Sequence, residues 1–256
     1  MSAPRTLLLD LETFPNVAYV WGAWEQNVIE FAEDWYILSY AAKWLGSRPI
    51  VCRGLDDVGQ RAGRPNSDRR LLQEIHTLMD EADIIIAHNG VDFDVKVANA
   101  RFIVHGFTPP SPYKVVDTKR TIKQVARFSS NKLDWLCKQL GLGRKVEHEG
   151  FPLWKACAAG DPTAWRRMKR YNRHDVRLLE DLYRTIAPWI RQPNAALYHG
   201  DTRCVNPACR STHIQSRGVF RAATRTYQRF RCVDCGKWMR GALAERQPKA
   251  AVVAAL

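Results

Sequence analysis

The chain has 256 residues, enough for one sizeable core and a small appendage, and its 46% hydrophobic and 25% charged content is that of an ordinary globular protein. No run of about 18 apolar residues occurs, which excludes a helical membrane span. The formal net charge of +13 is uneven, with 28 Lys/Arg against 23 Asp/Glu in residues 1–199 and 11 against 3 in residues 200–256; such basicity suits either a polyanion such as nucleic acid or a solvated surface.

The N-terminus leads into an apolar run at residues 6–11 (Thr-Leu-Leu-Leu-Asp-Leu) without a secretory h-region. We therefore expect an intracellular protein. The run reads as a buried strand halted by Thr13-Phe14-Pro15. Residues 17–21, 36–45 and 49–52 are predicted as further strands, and 54–66, rich in Gly with Pro and Asp, as a loop. Asn66-Ser67-Asp68 opens a helix to about Ala82, its apolar face formed by Leu71, Leu72, Ile75, Leu78 and Met79. Residues 84–87 suit a central strand, 92–104 a helix and 115–116 another strand. Ser130-Asn131 opens a helix closed by Gly141, and Asp161-Pro162 opens the last long helix, ending near Pro188. Strands followed by helix–strand alternation predict an α/β sheet flanked by helices. The expected division is a domain at 1–190, a linker at 191–201, a small module at 202–240 and a flexible tail at 241–256. The nine Trp read mostly as core, and Trp35 and Trp44 give no sign of base stacking.

Four carboxylates stand out. Asp10 and Glu12 lie two apart on a predicted strand, so both leave the same face. Side by side they repel, unless a divalent cation sits between them. Asp94 ends His88-Asn89-Gly90-Val91-Asp92-Phe93-Asp94, a strand-to-helix junction of the kind where active-site groups of open sheets gather. Asp92 reads as an ordinary helix N-terminal acid. Tyr171 and Asp175 are four apart and share a helix face.

Asp-x-Glu on the first strand, Asn-x-x-x-Phe-Asp after a later strand and Tyr-x-x-x-Asp near the end together resemble the three exonuclease motifs of the DEDD (DnaQ-like, RNase H-like) superfamily, in its tyrosine-bearing subclass. The resemblance spans about residues 6–187. The segment Leu9-Asp10-Leu11-Glu12-Thr13-Phe14-Pro15 also resembles a compact branch that bacteriophages and bacteria carry. It implies an RNase H-like mixed central sheet and a 3′–5′ exonuclease in a bacterial or phage-infected cytoplasm. Asp10 would bridge two Mg²⁺ or Mn²⁺ ions, Glu12 and Asp175 would complete one shell, Asp94 would hold the second ion, and Tyr171 would orient the attacking water. Where the other subclass has a histidine, this chain has Arg170; His88 and His174 are expected to be structural or turned elsewhere. DNA is favoured over RNA, at single-stranded 3′ ends. Asp117 is expected to cap a helix. Asn89 and Lys96 are candidate nucleic-acid contacts, together with Lys119, Arg120, Lys123, Lys132 and Arg173. A structure-selective endonuclease or RNase, or a non-catalytic nucleic-acid-binding protein, remains an alternative on the same fold.

Cys52, Cys137 and Cys157 lie scattered in apolar contexts and read as buried thiols, whereas Cys204, Cys209, Cys232 and Cys235 form two pairs separated by 22 residues. With short strands expected at 214–220 and 226–231 between them, the pairs deliver four thiolates to one Zn²⁺, and the segment resembles a zinc ribbon. Arg217, Arg221, Arg225, Arg229, Arg231 and Lys237, interleaved with Phe220, Tyr227, Phe230 and Trp238, suit nucleic-acid binding. The alternative is a surface that docks a replication or repair protein.

Overall fold

The computed structural model describes residues 4–24, 27–59, 68–191, 202–222 and 225–245. The chain divides into two compact units, Arg5–Tyr183 and Arg184–Leu256, the latter grouped with Met1–Pro4. The first unit has strands β1 (Thr6–Phe14), β2 (Val17–Tyr19), β3 (Glu30–Glu33), β4 (Tyr36–Trp44) and β5 (Val51–Gly54), then helix α1 (Arg69–Asp80), β6 (Ile84–Ala87), α2 (Asp94–Val104) and β7 (Lys114–Asp117). Four helices follow: α3 (Thr118–Val125), α4 (Leu133–Gln139), α5 (Phe151–Ala158) and α6 (Pro162–Ile186). The central sheet has the order β5-β4-β1-β6-β7; β1 is antiparallel to β4 and parallel to β6, and β6 is parallel to β7. This is the expected RNase H-like mixed sheet flanked by helices. The parallel strands β1, β6 and β7 all end at the same edge.

β1 does not stop at Thr13. It continues to Phe14 because a shift in register after Glu12 lets Phe14 pair with Tyr36, and the two rings stack with centroids 5.3 Å apart. Pro15, which lacks a donor, ends the strand. Residues 55–58 of the expected loop form a 3₁₀ turn, and 60–66 lie outside the described residues.

The alternation of β1 decides what each face does. Leu7, Leu9 and Leu11 join the core with Leu71, Leu72, Ile75 and Met79 of α1 and Ala98 and Phe102 of α2. Each such side chain, fully buried, contributes about 1.5–3 kcal/mol. Asp10 and Glu12 face the other way.

Asp68 stands at the start of α1, as expected, but makes no cap bond; Asn66 and Ser67 lie outside the described residues. Its fully buried carboxylate instead accepts from Arg101 Nε and Nη2 at 2.8 Å each and from Ile37 N at 3.0 Å, and it contacts His105 Nε2 at 2.8 Å. One ionised group thus ties β4, α1 and α2 together. At the start of α6, Asp161 Oδ1 accepts from Thr163 N at 2.7 Å, the capping expected of Asp161-Pro162.

The second unit holds β8 (Ile214–Arg221), β9 (Thr226–Cys232) and β10 (Trp238–Glu245), an antiparallel sheet of order β10-β9-β8. β10 extends to Glu245, into the stretch expected to be tail. Residues 246–256 and 192–201, where the rest of that tail and nearly all of the linker were expected, lie outside the described residues.

Candidate active site and metal clusters

The carboxylates meet where α6 crosses the polar face of β1. Asp10, Glu12 and Asp175 each present an oxygen within 4.8 Å of the others. Asn172, fully buried on α6, sets the depth of the helix: its Nδ2 donates to Asp10 Oδ2 at 2.5 Å, and its Oδ1 accepts from Ser39 Oγ at 3.3 Å. Asp94 opens α2, and its Oδ1 accepts from Leu11 N at 3.0 Å, the peptide between Asp10 and Glu12. The structure therefore brings together all four acids singled out in the sequence.

The loop that delivers Asp94 is shaped by its neighbours. Asn89 takes a φ of 74°, which asparagine tolerates better than most residues. Asp117 receives the amides of Asn89 (3.2 Å) and Val91 (3.1 Å) while also capping α3 through Arg120 N (3.0 Å). A Cβ on Gly90 would fall 2.4 Å from that of Ala87, so no larger residue fits without moving this turn.

The electrostatics follow from burial and crowding. Asp10 is held well above the usual carboxylate range by burial and by Glu12, Asp94 and Asp175, with Lys145 opposing. Burial and Asp175 push Glu12 to about 8, and burial pushes Asp94 to about 7 although the Leu11 amide favours its ionised form. Burial, Glu12 and Asp175 raise the Tyr171 phenol. The compensating charge is Lys145, whose ammonium ion-pairs with Asp175 Oδ2 and donates to Tyr171 Oη at 3.1 Å. Burial alone would lower its affinity for the proton, but Asp175 and Tyr171 more than reverse that. Asp175 Oδ1 remains buried with no hydrogen-bond partner among the described residues.

Sequence reasoning missed Lys145 and Asn172. Asn172 had a signal, being a polar residue on the same helical stripe as Met168, Asp175, Val176 and Leu179, all buried. Lys145 had none, since it lies between helices in a stretch without periodicity. The histidines behave as expected. His88 is fixed by Thr118 Oγ1 and Asn131 O at 2.9 Å each, and burial lowers it to about 4; His174 turns to Arg144 O at 2.7 Å.

The candidate nucleic-acid contacts are dispersed. Lys119 donates to Asn89 Oδ1 at 3.1 Å, and Asp92 engages both Arg120 (2.8 Å) and Lys96 (3.5 Å). Lys123 and Lys132 are exposed, and Arg173 is half-buried. In the second unit Arg221 and Arg225 are exposed, and Arg217 donates to Gln215 at 2.7 Å. Arg229 and Arg231 lie over the Trp238 ring at 4.9 and 5.9 Å. Lys237 is different: it is buried, and its ammonium donates to Ile190 O, so it presents no charge to solvent. Four cysteines of this unit converge, with Cys204 Sγ 3.5 Å from Cys235 Sγ and Cys209 Sγ 3.7 Å from Cys232 Sγ. A tetrahedron with metal–sulfur bonds of ~2.3 Å has edges of ~3.8 Å, so the set fits one metal. Cys52, Cys137 and Cys157 are buried free thiols, as expected.

Trp21, Trp24, Trp189 and Trp238 are exposed, which corrects the expectation that the tryptophans are mostly core. Among the described residues no helix is long and apolar enough to cross a membrane.

A family model described as the RNase_H superfamily matches residues 57–187, which hold Asp94, Lys145, Tyr171 and Asp175 but not β1. Among solved structures, the family B DNA polymerase from the hyperthermophilic archaeon Pyrobaculum calidifontis is similar, with a TM-score of 0.56 and 17% identity. That likeness covers 73% of this chain and 25% of the polymerase, so the chain spans about a quarter of that protein's length and the likeness is one of fold. No curated protein sequence matches the chain.

Proposed function

The chain belongs to the RNase_H superfamily, whose members are generally nucleases, and from that premise we propose that it is a two-metal-ion 3′–5′ exonuclease of the tyrosine-bearing DEDD kind. The observation that carries this reading is the convergence of Asp10, Glu12 and Asp175 within 4.8 Å, with Asp94 bonded to the peptide between the first two. The residues fit divalent cations: among the described residues the four crowded carboxylates are opposed by Lys145, and a buried Asp175 oxygen has no donor. Asp10 would be shared between two ions, Glu12 and Asp175 would complete one site and Asp94 the other. Hard oxygen ligands favour Mg²⁺ or Mn²⁺, which would supply a nucleophile at neutral pH and stabilise charge on the leaving oxygen.

The protein's own groups set the geometry. Asn172 fixes the carboxylate of Asp10, and Asp117 holds the turn that aims Asp94. Lys145 orients Asp175 and donates to the phenol of Tyr171, which leaves the phenol's own hydrogen to direct a water or a phosphate oxygen. The phenol stays protonated at neutral pH, so Tyr171 positions the nucleophile and is not its base.

The second unit is proposed to be a zinc ribbon whose Arg–aromatic face binds substrate nucleic acid, DNA at single-stranded 3′ ends by preference. The test uses 3′- and 5′-labelled oligonucleotides of DNA and RNA with and without Mg²⁺ or Mn²⁺. Metal-dependent shortening from the 3′ end, with circular single strands left intact, is the expected result. Cleavage of circles would make the protein an endonuclease, and binding without cleavage would make it a non-catalytic nucleic-acid-binding protein.

A further inference from the structure

Directly after β1 the chain forms a hairpin, β2 paired with β3, that joins neither of the other sheets. It is fastened at its root, where Trp35 N donates to Asn16 Oδ1 at 2.7 Å and Phe14 stacks on Tyr36. Beyond the root its large apolar side chains meet solvent: Tyr19 is 62% exposed, Trp21 88%, Trp24 85% and Phe31 56%, and Val17, Val20, Val28 and Ile29 are exposed too. A lone two-stranded hairpin is marginal in water, and a soluble surface rarely concentrates such groups without a ligand for them.

We propose that this hairpin is a stacking platform for the unpaired bases of a nucleic-acid strand entering the carboxylate site, a proposal that rests on the nucleic-acid reading given above. Three observations favour bases as the occupant. The hairpin begins five residues after Glu12, at the edge where β1, β6 and β7 all end and where Asp94 and Asp117 stand. Four of its eight exposed large apolar side chains are aromatic, and every base offers a π-face to such rings whatever its sequence. Residues 16–34 contain Glu25, Glu30, Glu33 and Asp34 but no Lys or Arg. The hairpin thus offers no cation to a phosphate, and any contact it makes with a strand would be through ring faces, with the backbone held elsewhere.

The test measures binding rather than hydrolysis, so it stands or falls separately from the catalytic reading. The full-length chain carrying D10N is compared with the same chain also carrying W21A/W24A. The probes are a fluorescent single-stranded 20-mer and an abasic 20-mer with the same number of phosphates, at several salt concentrations. Stacking is worth about 1–3 kcal/mol per base, so the double variant is expected to bind the base-bearing strand at least roughly fivefold more weakly. Its affinity for the abasic strand and its salt slope should not change, because no phosphate contact is lost. W21F/W24F, which keeps the rings, should restore most of the loss and rules out a folding defect. Equal weakening on both probes, or none on either, overturns the proposal. Unchanged oligonucleotide affinity with loss of concentration-dependent self-association would assign the hairpin to protein contact, and also overturns it.

Discussion

Raising the pH should destabilise the cation-free protein through the candidate active site. Glu12 ionises in the folded chain only near pH 8 and Asp94 near pH 7, and Asp10 is also shifted upward, because burial and mutual repulsion disfavour their charges. In the unfolded chain these groups lose their protons near pH 4. Between those limits the folded state holds protons that the unfolded state has released, so stability falls as pH rises. His88 acts in the opposite sense, being held neutral down to about pH 4, but its contribution is complete above about pH 6.5. The clean window is therefore pH 6.5 to 8. At ~1.4 kcal/mol per unit, Glu12 over 1.5 units and Asp94 over half a unit give a fall of roughly 2–3 kcal/mol. For a unit of this size that corresponds to a Tm lower by about 5–10 °C. Thermal melting followed by circular dichroism, without added Mg²⁺ or Mn²⁺ and without chelator, reads it directly. Millimolar Mn²⁺ should abolish the fall, giving a larger Tm gain at pH 8 than at pH 6.5, and Glu12→Gln should flatten the cation-free profile. A Tm that is flat or rising across the window without cation, or an Mn²⁺ gain independent of pH, would refute the reasoning.

Three further outcomes follow from named contacts. Lys145→Met removes the cation between Asp175 and Tyr171, and activity or Mn²⁺ affinity should fall by about 10–100-fold, the usual effect of losing a group that orients a metal ligand; titration of activity against Mn²⁺ checks this. Asp68→Ala leaves Arg101 and His105 buried without their anion and should cost about 3–5 kcal/mol, read as a lower urea midpoint. If the proposed ribbon holds one Zn²⁺, Cys232→Ser should lower the zinc content of the purified protein by one per chain and unfold the second unit, while the melting of the first unit stays unchanged.

Much of the fold could be read locally because period and punctuation agreed. The run Ile84–Ala87 is a strand with the bounds expected of it, since four apolar residues between polar neighbours leave little else to form. The acids were legible because Asp10 and Glu12 share a strand face and Tyr171 and Asp175 a helix face, whatever the rest of the chain does. What escaped was set by partners distant in sequence. β3 (Glu-Phe-Ala-Glu) has no buried residue and exists through its pairing with β2. α3 buries only Thr118 and Ile122, too few to show a period, and α5 starts after Gly150 with no side-chain cap to announce it. Lys145 matters because of Asp175, thirty residues on, and no local pattern marks such a pair. Trp21 and Trp24 misled because composition assigns tryptophan to the core, while the short hairpin that carries them leaves both exposed.

Crystals grown with Mn²⁺ test most directly, through anomalous scattering, whether the carboxylate cluster holds a pair of cations. Two peaks about 3.5–4 Å apart, shared by Asp10 and flanked by Glu12 and Asp175 on one side and Asp94 on the other, are predicted. Manganese bound elsewhere, or a site left empty while nucleic acid is still being cleaved, would contradict the paired site.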